Sequence, residues 1–212
     1  MRDFPIFATD NGVGSITLKE VPYTGNAYIK LGSAENIDAF LKDCLEFCSA
    51  VGATCVYATG HKCLEKYPLF ATVVTMKRDR GGLPAGEAVL VPVTADNCEL
   101  WRKLYNQKMQ SVDNAAYITM GDMKDFVKAG TAWFVERQGV RIGIGVVENS
   151  CVRAMAATVK GAGKDVLLAL CTATAEDSIE LQVAQSNQKA MALYTRFGFQ
   201  EVDNKIKWYK IT

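Results

Sequence analysis

Apolar and polar positions along residues 87–212 alternate in a pattern that predicts a definite order of strands and helices. Predicted strands cover residues 88–93, 131–136, 140–147, 152–158, 179–183 and 205–211. Apolar residues three or four positions apart predict helices over residues 98–109, 122–128, 166–171 and 188–197. The order β-α-α-β-β-β-α-β-α-β predicts a mixed α+β fold, in which one mixed sheet carries helices on both faces.

The first part of the chain shows a similar order without the opening strand and its two helices. Predicted strands cover residues 5–9, 15–21, 27–31, 54–58 and 72–77, with a helix between Ser33 and Gly52 and a short helical piece over 63–67. An offset of 127 positions pairs Phe7 with Phe134 and Tyr67 with Tyr194. The matching order of elements predicts a duplicated unit whose first copy is truncated.

Composition and charge describe an ordinary folded chain. Of 212 residues, 49% are hydrophobic, and the chain has 24 basic and 23 acidic side chains. This high apolar fraction and low net charge exclude an intrinsically disordered protein. A net charge of +1 offers no general attraction to nucleic acid. No stretch reaches the ~20 apolar residues of a membrane span, and no signal-peptide run is visible at the start. We therefore expect a cytoplasmic protein with neither nucleic acid nor membrane as its partner.

A charged, glycine-rich segment divides the chain. Residues 78–86 contain Gly81, Gly82 and Gly86 together with Pro84, which is typical of a linker. The predicted domains are therefore residues 1–77 and residues 87–212, and the second has an ordinary size for one domain.

Seven cysteines raise the question of a metal or thiol site. Cys44 and Cys48 are four residues apart on a predicted helix, and His61 and Cys63 follow. No C-x-x-C pair is present, and Cys44 and Cys48 fit an apolar pattern in which thiols act as small hydrophobic groups. We expect free thiols and no metal, although a thiol- or metal-centred module stays open as an alternative.

A glycine-containing loop stands where a predicted strand becomes a helix. It consists of Thr158, Val159, Lys160, Gly161, Ala162, Gly163 and Lys164. Glycines let backbone N–H groups approach a phosphate, and a helix N-terminus adds partial positive charge. Lys160 and Lys164 would strengthen that attraction, although a plain strand-to-helix turn explains the same residues.

A second motif follows one strand later. It runs from Asn187 through Ala190, Leu193 and Tyr194 to Gly198-Phe199. One interpretation is structural: Asn187 caps a helix, Gly198 ends it, and the apolar residues form a core stripe.

Together the two motifs resemble the GNAT superfamily of acyl-CoA-dependent N-acetyltransferases. The pattern N-x-x-A-x-x-L-Y-x-x-x-G-F over residues 187–199 is the most specific part, and Gly161 and Gly163 match the family loop. The family usually has Gln or Arg where this chain has Thr158, so coenzyme binding is expected to be weaker. The resemblance covers residues 87–212, and more faintly 4–77, where Gly32-Ser33-Ala34-Glu35 offers no glycine pair and predicts a non-catalytic copy.

The resemblance implies a coenzyme site. Acetyl-CoA would be the co-substrate, lying between the strands at 152–158 and 179–183. The implied coenzyme-binding residues are Met155, Ala156, Ala157, Thr158, Val159, Lys160, Gly161, Ala162, Gly163, Lys164 and Asn187. A backbone N–H around Met155, Ala156 or Ala157 would stabilise the oxygen of a tetrahedral intermediate.

The resemblance also implies catalytic roles. Tyr194 would protonate the departing thiolate, and Glu180 or Glu148 would remove a proton from the amine, directly or through water. The acceptor would be a small-molecule or peptide amine, with residues 101–130 shaping its side of the site and Trp101, Tyr105, Tyr117 and Asp122 as candidate lining residues. A catalytically silent acyl-CoA-binding or regulatory protein is the alternative function, and the sequence leaves monomer and dimer equally open.

Overall fold

The structure, a computed structural model, describes residues 5–212, with the backbone alone at position 204. The first four residues of the predicted N-terminal domain therefore lie outside the described residues. The chain forms two compact units, one of residues up to Val73 together with Lys205–Thr212, and one of Val74–Asn204. The boundary falls inside two long strands, β5 (Leu69–Asp79) and β11 (Gln200–Lys210), each of which contributes residues to both units.

The first unit is a five-stranded mixed sheet with one long helix. Its elements are β1 (Ile6–Thr9), β2 (Gly12–Thr17), α1 (Val21–Thr24), β3 (Asn26–Ala34), α2 (Ile37–Ala50), β4 (Cys55–Thr59) and a 3₁₀ turn at Lys62–Lys66. The strand order is β1-β2-β3-β4-β11, in which only the β3–β4 pair is parallel. The helix α2 buries Phe40, Leu41, Cys44 and Cys48 in the core of this unit.

The second unit contains the remaining elements. They are β6 (Val89–Pro92), α3 (Cys98–Met109), α4 (Met120–Ala129), β7 (Ala132–Arg137), β8 (Val140–Glu148), β9 (Cys151–Ala157), α5 (Gly163–Thr172), β10 (Ser178–Ala184) and α6 (Gln188–Arg196). The strand order is β5-β10-β9-β8-β7-β6, and β9 and β10 run parallel. The predicted element order and the predicted mixed sheet are both confirmed.

Two separate apolar cores cover the two faces of the second sheet. The helices α3 and α4 pack on one face around Trp101, Met123 and Phe134. The helix α5 packs on the other face, where Val166 and Leu170 are fully buried. Each helix therefore hides one apolar stripe, which is the usual arrangement of a layered domain.

Two glycines on β8 bring α5 unusually close to the sheet. A Cβ added at Gly143 would lie 2.9 Å from Cγ1 of Val166 and closer still to Cγ2, and 3.0 Å from the Ala156 carbonyl oxygen. At Gly145 the added atom would lie 2.6 Å from Cδ2 of Leu170. Only hydrogen fits at these two positions, so the glycines set the depth at which α5 sits.

Several boundaries differ from the sequence prediction for local reasons. Ser33 does not cap α2, because it lies within β3; Asn36 caps the helix instead, accepting a hydrogen bond from the Ala39 N–H at 3.1 Å. Asn97 directly precedes α3, and its side chain accepts a hydrogen bond from the Thr94 N–H at 2.9 Å.

Two turns of the second unit have the left-handed backbone that such turns need. The β7–β8 hairpin turns at Gln138-Gly139, and both residues have positive φ as a tight hairpin requires. Gly130 ends α4 in the left-handed conformation. Among the described residues, no helix is both long and apolar enough to cross a membrane.

Gly143→Ala should destabilise the protein by about 1–3 kcal/mol, because the stiff, branched side chain of Val166 cannot move out of the way cheaply. The companion change Val166→Ala removes both clashing methyl groups, so the double variant should lose less stability than the sum of the two single variants. Urea unfolding followed by circular dichroism measures all three.

Gly81→Ala is the control, since a Cβ there meets nothing within 4 Å and its φ is not positive. Simple additivity of the Gly143 and Val166 changes would contradict the close approach of α5.

Candidate functional site

A gap opens between the two parallel strands of the second unit. β9 and β10 pair only at their first residues, Glu180 with Cys151 and Leu181 with Val152. Among the described residues their ladder ends there, although both strands continue for several residues. Because parallel strands point the same way, the gap opens at their carboxyl ends, where ligands bind in open sheets of this kind.

A β-bulge explains why the ladder ends. On the other side of β9, Val147 pairs with Val152 and Val146 with Ala154, so Arg153 is an extra residue in β9. A bulge bends its strand and increases the local twist. The bulged residue directly follows the last pair with β10, and β9 stays paired with β8 up to Ala157. The bulge therefore coincides with the point at which β9 leaves β10.

Backbone amides of β9 face this gap. The Thr158 N–H donates to the Ile142 carbonyl on β8 at 2.9 Å, and alternation along the strand then directs the amides of Ala156 and Ala154 to β8 as well. The amides of Met155 and Ala157 point the opposite way. Of the three residues expected to offer an N–H at this place, Ala156 is therefore excluded by its pairing with Ile144.

The glycine loop presents further main-chain donors at the open end of the gap. In the described part of the chain, the N–H groups of Lys160, Gly161, Gly163 and Lys164 donate to no protein acceptor. Gly161 has φ +86°, and a Cβ there would meet nothing within 4 Å. These donors lie at the first turn of α5, where N–H dipoles without partners suit an anion.

Thr158 takes a structural role at the start of this loop. Its side chain donates to the Arg141 carbonyl on β8 at 3.3 Å, and its N–H bonds β8 as well. The residue thus fastens the loop to the sheet.

The charges around the loop favour an anion. Asp165 lies in the first turn of α5, where a phosphate would also be placed, but its carboxylate accepts a hydrogen bond from Arg137 at 2.6 Å. Lys160 and Lys164 are exposed on either side. The carboxylate of Asp165 is thus paired with Arg137, and the exposed Lys160 and Lys164 add positive charge beside the N–H donors.

Tyr194 lies on α6, close to the loop. Asn187 caps this helix by accepting from the Ala190 N–H at 3.2 Å, so its carboxamide oxygen is already engaged in helix capping. A Cβ added at Gly163 would be 3.4 Å from Leu193, the neighbour of Tyr194, so the two sequence motifs meet in space.

The Tyr194 side chain is largely buried, and its hydroxyl has no hydrogen-bond partner among the described residues. The ring packs against Phe199 at a centroid distance of 5.9 Å, and burial raises the pKa of the hydroxyl to about 12, with the nearby Cys171 thiol acting in the same direction. In the described part of the chain this hydroxyl makes no hydrogen bond. The hydroxyl therefore stays protonated at neutral pH.

The two predicted carboxylates lie together, but at the closed end of the gap. Glu148 and Glu180 both stand opposite Cys151 across neighbouring strands. Met155 is four residues farther along β9, which is about 13 Å at the usual rise of a strand. Glu148 also accepts a hydrogen bond from the bulge residue Arg153 at 3.0 Å. Neither carboxylate therefore lies beside the amides that face the gap.

Two of the residues expected to line an acceptor site are core residues instead. Trp101 is 0% exposed, donates to the Trp133 carbonyl and stacks on the buried Tyr105. Their helical spacing already indicated an apolar stripe. Asp122 forms a capping box with Thr119 at the start of α4, and the Tyr117 hydroxyl accepts from Arg102 at 3.1 Å.

The loop between α3 and α4 contributes a residue that the sequence did not single out. The hydroxyl of Ser186, which follows β10, donates to the Asp113 carboxylate at 2.8 Å. This bond holds the α3–α4 loop against the turn that enters α6. No motif marked Asp113, because the contact spans 73 residues.

The equivalent parallel pair in the first unit shows no gap. β3 and β4 pair over five successive residues, from Asn26 with Cys55 to Lys30 with Thr59. No room for a ligand is left between them at the place where β9 and β10 separate in the second unit.

Two cysteines of the first unit, Cys44 and Cys48, are packing residues. Cys44 and Cys48 are fully buried, and burial raises the pKa of their thiols to about 12 and about 11. His61 caps the 3₁₀ turn by accepting from the Cys63 N–H at 3.1 Å. Among the described residues, no group of three or more His, Cys, Asp or Glu side chains could hold a metal ion.

Comparison with known proteins identifies the fold. A GCN5-related N-acetyltransferase from Sphaerobacter thermophilus superimposes with a TM-score of 0.64 at 9% identity, covering 93% of this chain and 75% of that one. A GNAT-family acetyltransferase from Colwellia psychrerythraea gives 0.54 at 9% identity, covering 98% and 84%. A tandem GNAT protein from the clavulanic acid biosynthesis pathway gives 0.59 at 13% identity, covering 94% and 78%. The chain has the GNAT fold.

This GNAT fold confirms the resemblance predicted from Gly161, Gly163 and residues 187–199. No family model matches the sequence, and no curated protein matches it either. The GNAT assignment therefore depends on three-dimensional structure together with the short motifs that the sequence retains.

Native protein at pH 8 should leave Cys44, Cys48 and Cys171 unmodified by a thiol reagent such as DTNB, because burial raises the pKa of all three thiols to about 11 or above. All seven cysteines should react in 6 M guanidinium chloride. Mass spectrometry of the labelled peptides assigns each site, and rapid native labelling of Cys44 or Cys48 would revive the thiol-centred alternative.

Proposed function

We propose that the chain is an N-acetyltransferase that moves an acetyl group from acetyl-CoA to a primary amine. The observation that carries this proposal is the gap between β9 and β10, in which the Met155 and Ala157 amides face a strand with which they do not pair. Amides of this kind are preorganised donors for an oxygen that becomes negative during acyl transfer. The direct attack of an amine on a thioester passes through such a species.

The loop after β9 suits the diphosphate of the coenzyme. Its unbonded N–H groups at Lys160, Gly161, Gly163 and Lys164 can approach phosphate oxygens, and nothing occupies the space in front of Gly161. Backbone donors carry this interaction, so Thr158 need not supply a long polar side chain. Coenzyme A would contribute the activated thioester, and the chain's own residues would hold and orient it.

Tyr194 supplies a proton at the sulfur end in this proposal. The amine nitrogen forms the new C–N bond and the C–S bond breaks, so the departing thiolate must gain a proton while the amine loses one. A hydroxyl whose pKa is about 12 stays protonated at neutral pH, so it can donate a hydrogen bond to the departing thiolate. Leu193 lies in contact distance of Gly163, so α6 packs beside the glycine-containing loop, which supports a role for Tyr194 near the same coenzyme.

The proton from the amine would leave through water. Glu180 and Glu148 lie about 13 Å along the strands from Met155, which is too far for direct transfer but within reach of a chain of waters. Glu180 is the better proposal of the two, because Arg153 already binds Glu148. Asp113, held by Ser186 beside α6, is an acidic group that would attract a cationic small-molecule or peptide amine.

A second function has one observation in its favour. The described residues place neither predicted carboxylate beside the amides that face the gap, which suits a protein that binds acyl-CoA without catalysis. Release of free thiol on mixing with acetyl-CoA and a panel of primary amines separates the two functions, because the silent protein would bind coenzyme and release none. The first unit, with its continuous β3–β4 ladder, would be non-catalytic in either case.

Tyr194→Phe should leave the Kd for acetyl-CoA within about twofold and lower kcat by about tenfold to hundredfold. The fold should survive, since the hydroxyl bonds no described residue. Stopped-flow thiol release gives kcat, and calorimetry gives the Kd. Tyr67→Phe, at the corresponding position of the first unit, is the matched control and should behave as wild type. An unchanged kcat in the Tyr194 variant would remove its role as the acid.

Gly161→Asp should weaken CoA binding by about tenfold or more, because it places a negative charge among the N–H donors. Gly161→Asn is the matched control, because asparagine has the size of aspartate and tolerates the left-handed backbone equally well. It therefore separates the effect of the charge from that of backbone strain. The difference in Kd between the two variants should shrink as salt is added. Equal affinities would mean that the diphosphate binds elsewhere.

A further inference from the structure

Arg78 is the most highly connected side chain of the segment predicted to be a linker. Its guanidinium donates from three different nitrogens to three main-chain carbonyls. Nε bonds the Asp79 oxygen and Nη2 the Gly81 oxygen, each at 2.6 Å, and Nη1 bonds the oxygen of Phe197. Two of these acceptors lie in the segment itself, and the third lies at the end of α6.

The Phe197 carbonyl would otherwise lack a partner. Phe197 is the residue that closes α6, and in the described part of the chain no backbone N–H donates to its oxygen. The last carbonyls of a helix carry partial negative charge, so a guanidinium placed there is favourable. Arg78 thus joins the carboxyl end of α6 to residues 79–81, with the fork geometry that only arginine offers.

Tyr194 lies on the last turn of the same helix. Its carbonyl accepts from the Phe197 and Phe199 N–H groups at 3.0 Å, so the bond from Arg78 meets the chain three residues from Tyr194. Its hydroxyl makes no hydrogen bond in the described part of the chain. The place of that hydroxyl therefore depends on packing and on where α6 ends.

We propose that Arg78 is a positioning residue: by holding the Phe197 carbonyl it fixes the end of α6 and so aims the Tyr194 hydroxyl. The kinetic part of this inference rests on the proposed acetyltransferase function, whereas the structural part does not. The segment at 78–81 is then part of the site's framework, which accounts for its ordered contacts better than a spacer does.

Arg78→Lys tests the inference, because lysine keeps the charge but cannot bond three carbonyls at once. We expect kcat to fall about tenfold while the Kd for acetyl-CoA stays within about twofold. In a Tyr194→Phe background the same change should alter kcat by less than about twofold, because the group it positions is already gone. Arg80→Lys is the matched control, since Arg80 is exposed and its guanidinium reaches the Thr172 carbonyl only at 3.5 Å.

Hydrogen exchange provides a measurement that is independent of activity. In Arg78→Lys the amides of Phe197, Gly198 and Phe199 should exchange about tenfold faster, while α3 in the same unit stays unchanged and shows that the fold persists. Wild-type protein that releases no thiol with any amine would overturn the proposed function, and exchange alone would then decide the role of Arg78. Unchanged exchange at residues 197–199, or full additivity of Arg78→Lys with Tyr194→Phe, would overturn the positioning role.

Discussion

The site depends on the unequal hydrogen bonding of one strand. β9 bonds β8 along its whole length but bonds β10 only at Val152 and the residue before it. The extra residue Arg153 lies directly after the last β9–β10 pair, while the β8–β9 ladder continues. The bend at this bulge directs β9 away from β10. An unpaired strand edge inside a sheet leaves backbone donors without partners, which is costly unless a ligand uses them. The gap is therefore a part of the sheet that suits a ligand.

The two helices beside the gap are held by contacts that are remote in sequence. Gly143 and Gly145 let α5 sit low on β8, so the N–H groups at its start reach the open end of the gap. Arg78 and the capping residue Asn187 hold the two ends of α6. In the proposed site each helix presents one feature, unbonded N–H groups on α5 and a hydroxyl on α6. Small errors in helix position would separate these features.

The two units show how little separates a ligand site from a plain sheet. Both contain a parallel pair followed by a helix or turn, and in the first unit the pair continues from Asn26–Cys55 to Lys30–Thr59. The second unit has the bulge and the glycine loop at the corresponding positions. A continuous ladder satisfies the backbone by itself, and it leaves no donors for a coenzyme. Similar element order therefore supports a different capacity in each half.

Local sequence determined the helices and strands of this protein. The hydrophobic periodicity, the glycine turns and the Asn187 cap each depend on residues only a few positions apart. The glycine-containing loop and the helix α6 could be predicted for the same reason, and so could the GNAT resemblance that depends on them. Tertiary structure alone decided how the residues around these motifs are used. The Ala156 amide points to β8, Trp101 is a core residue, and Glu148 binds Arg153. It also decided the partners of Arg78 and Asp113. The Arg78 contact spans 119 positions of the chain, and the Asp113 contact spans 73. Pairing register and long-range contacts leave no periodic trace in a single sequence, so only the folded chain records them.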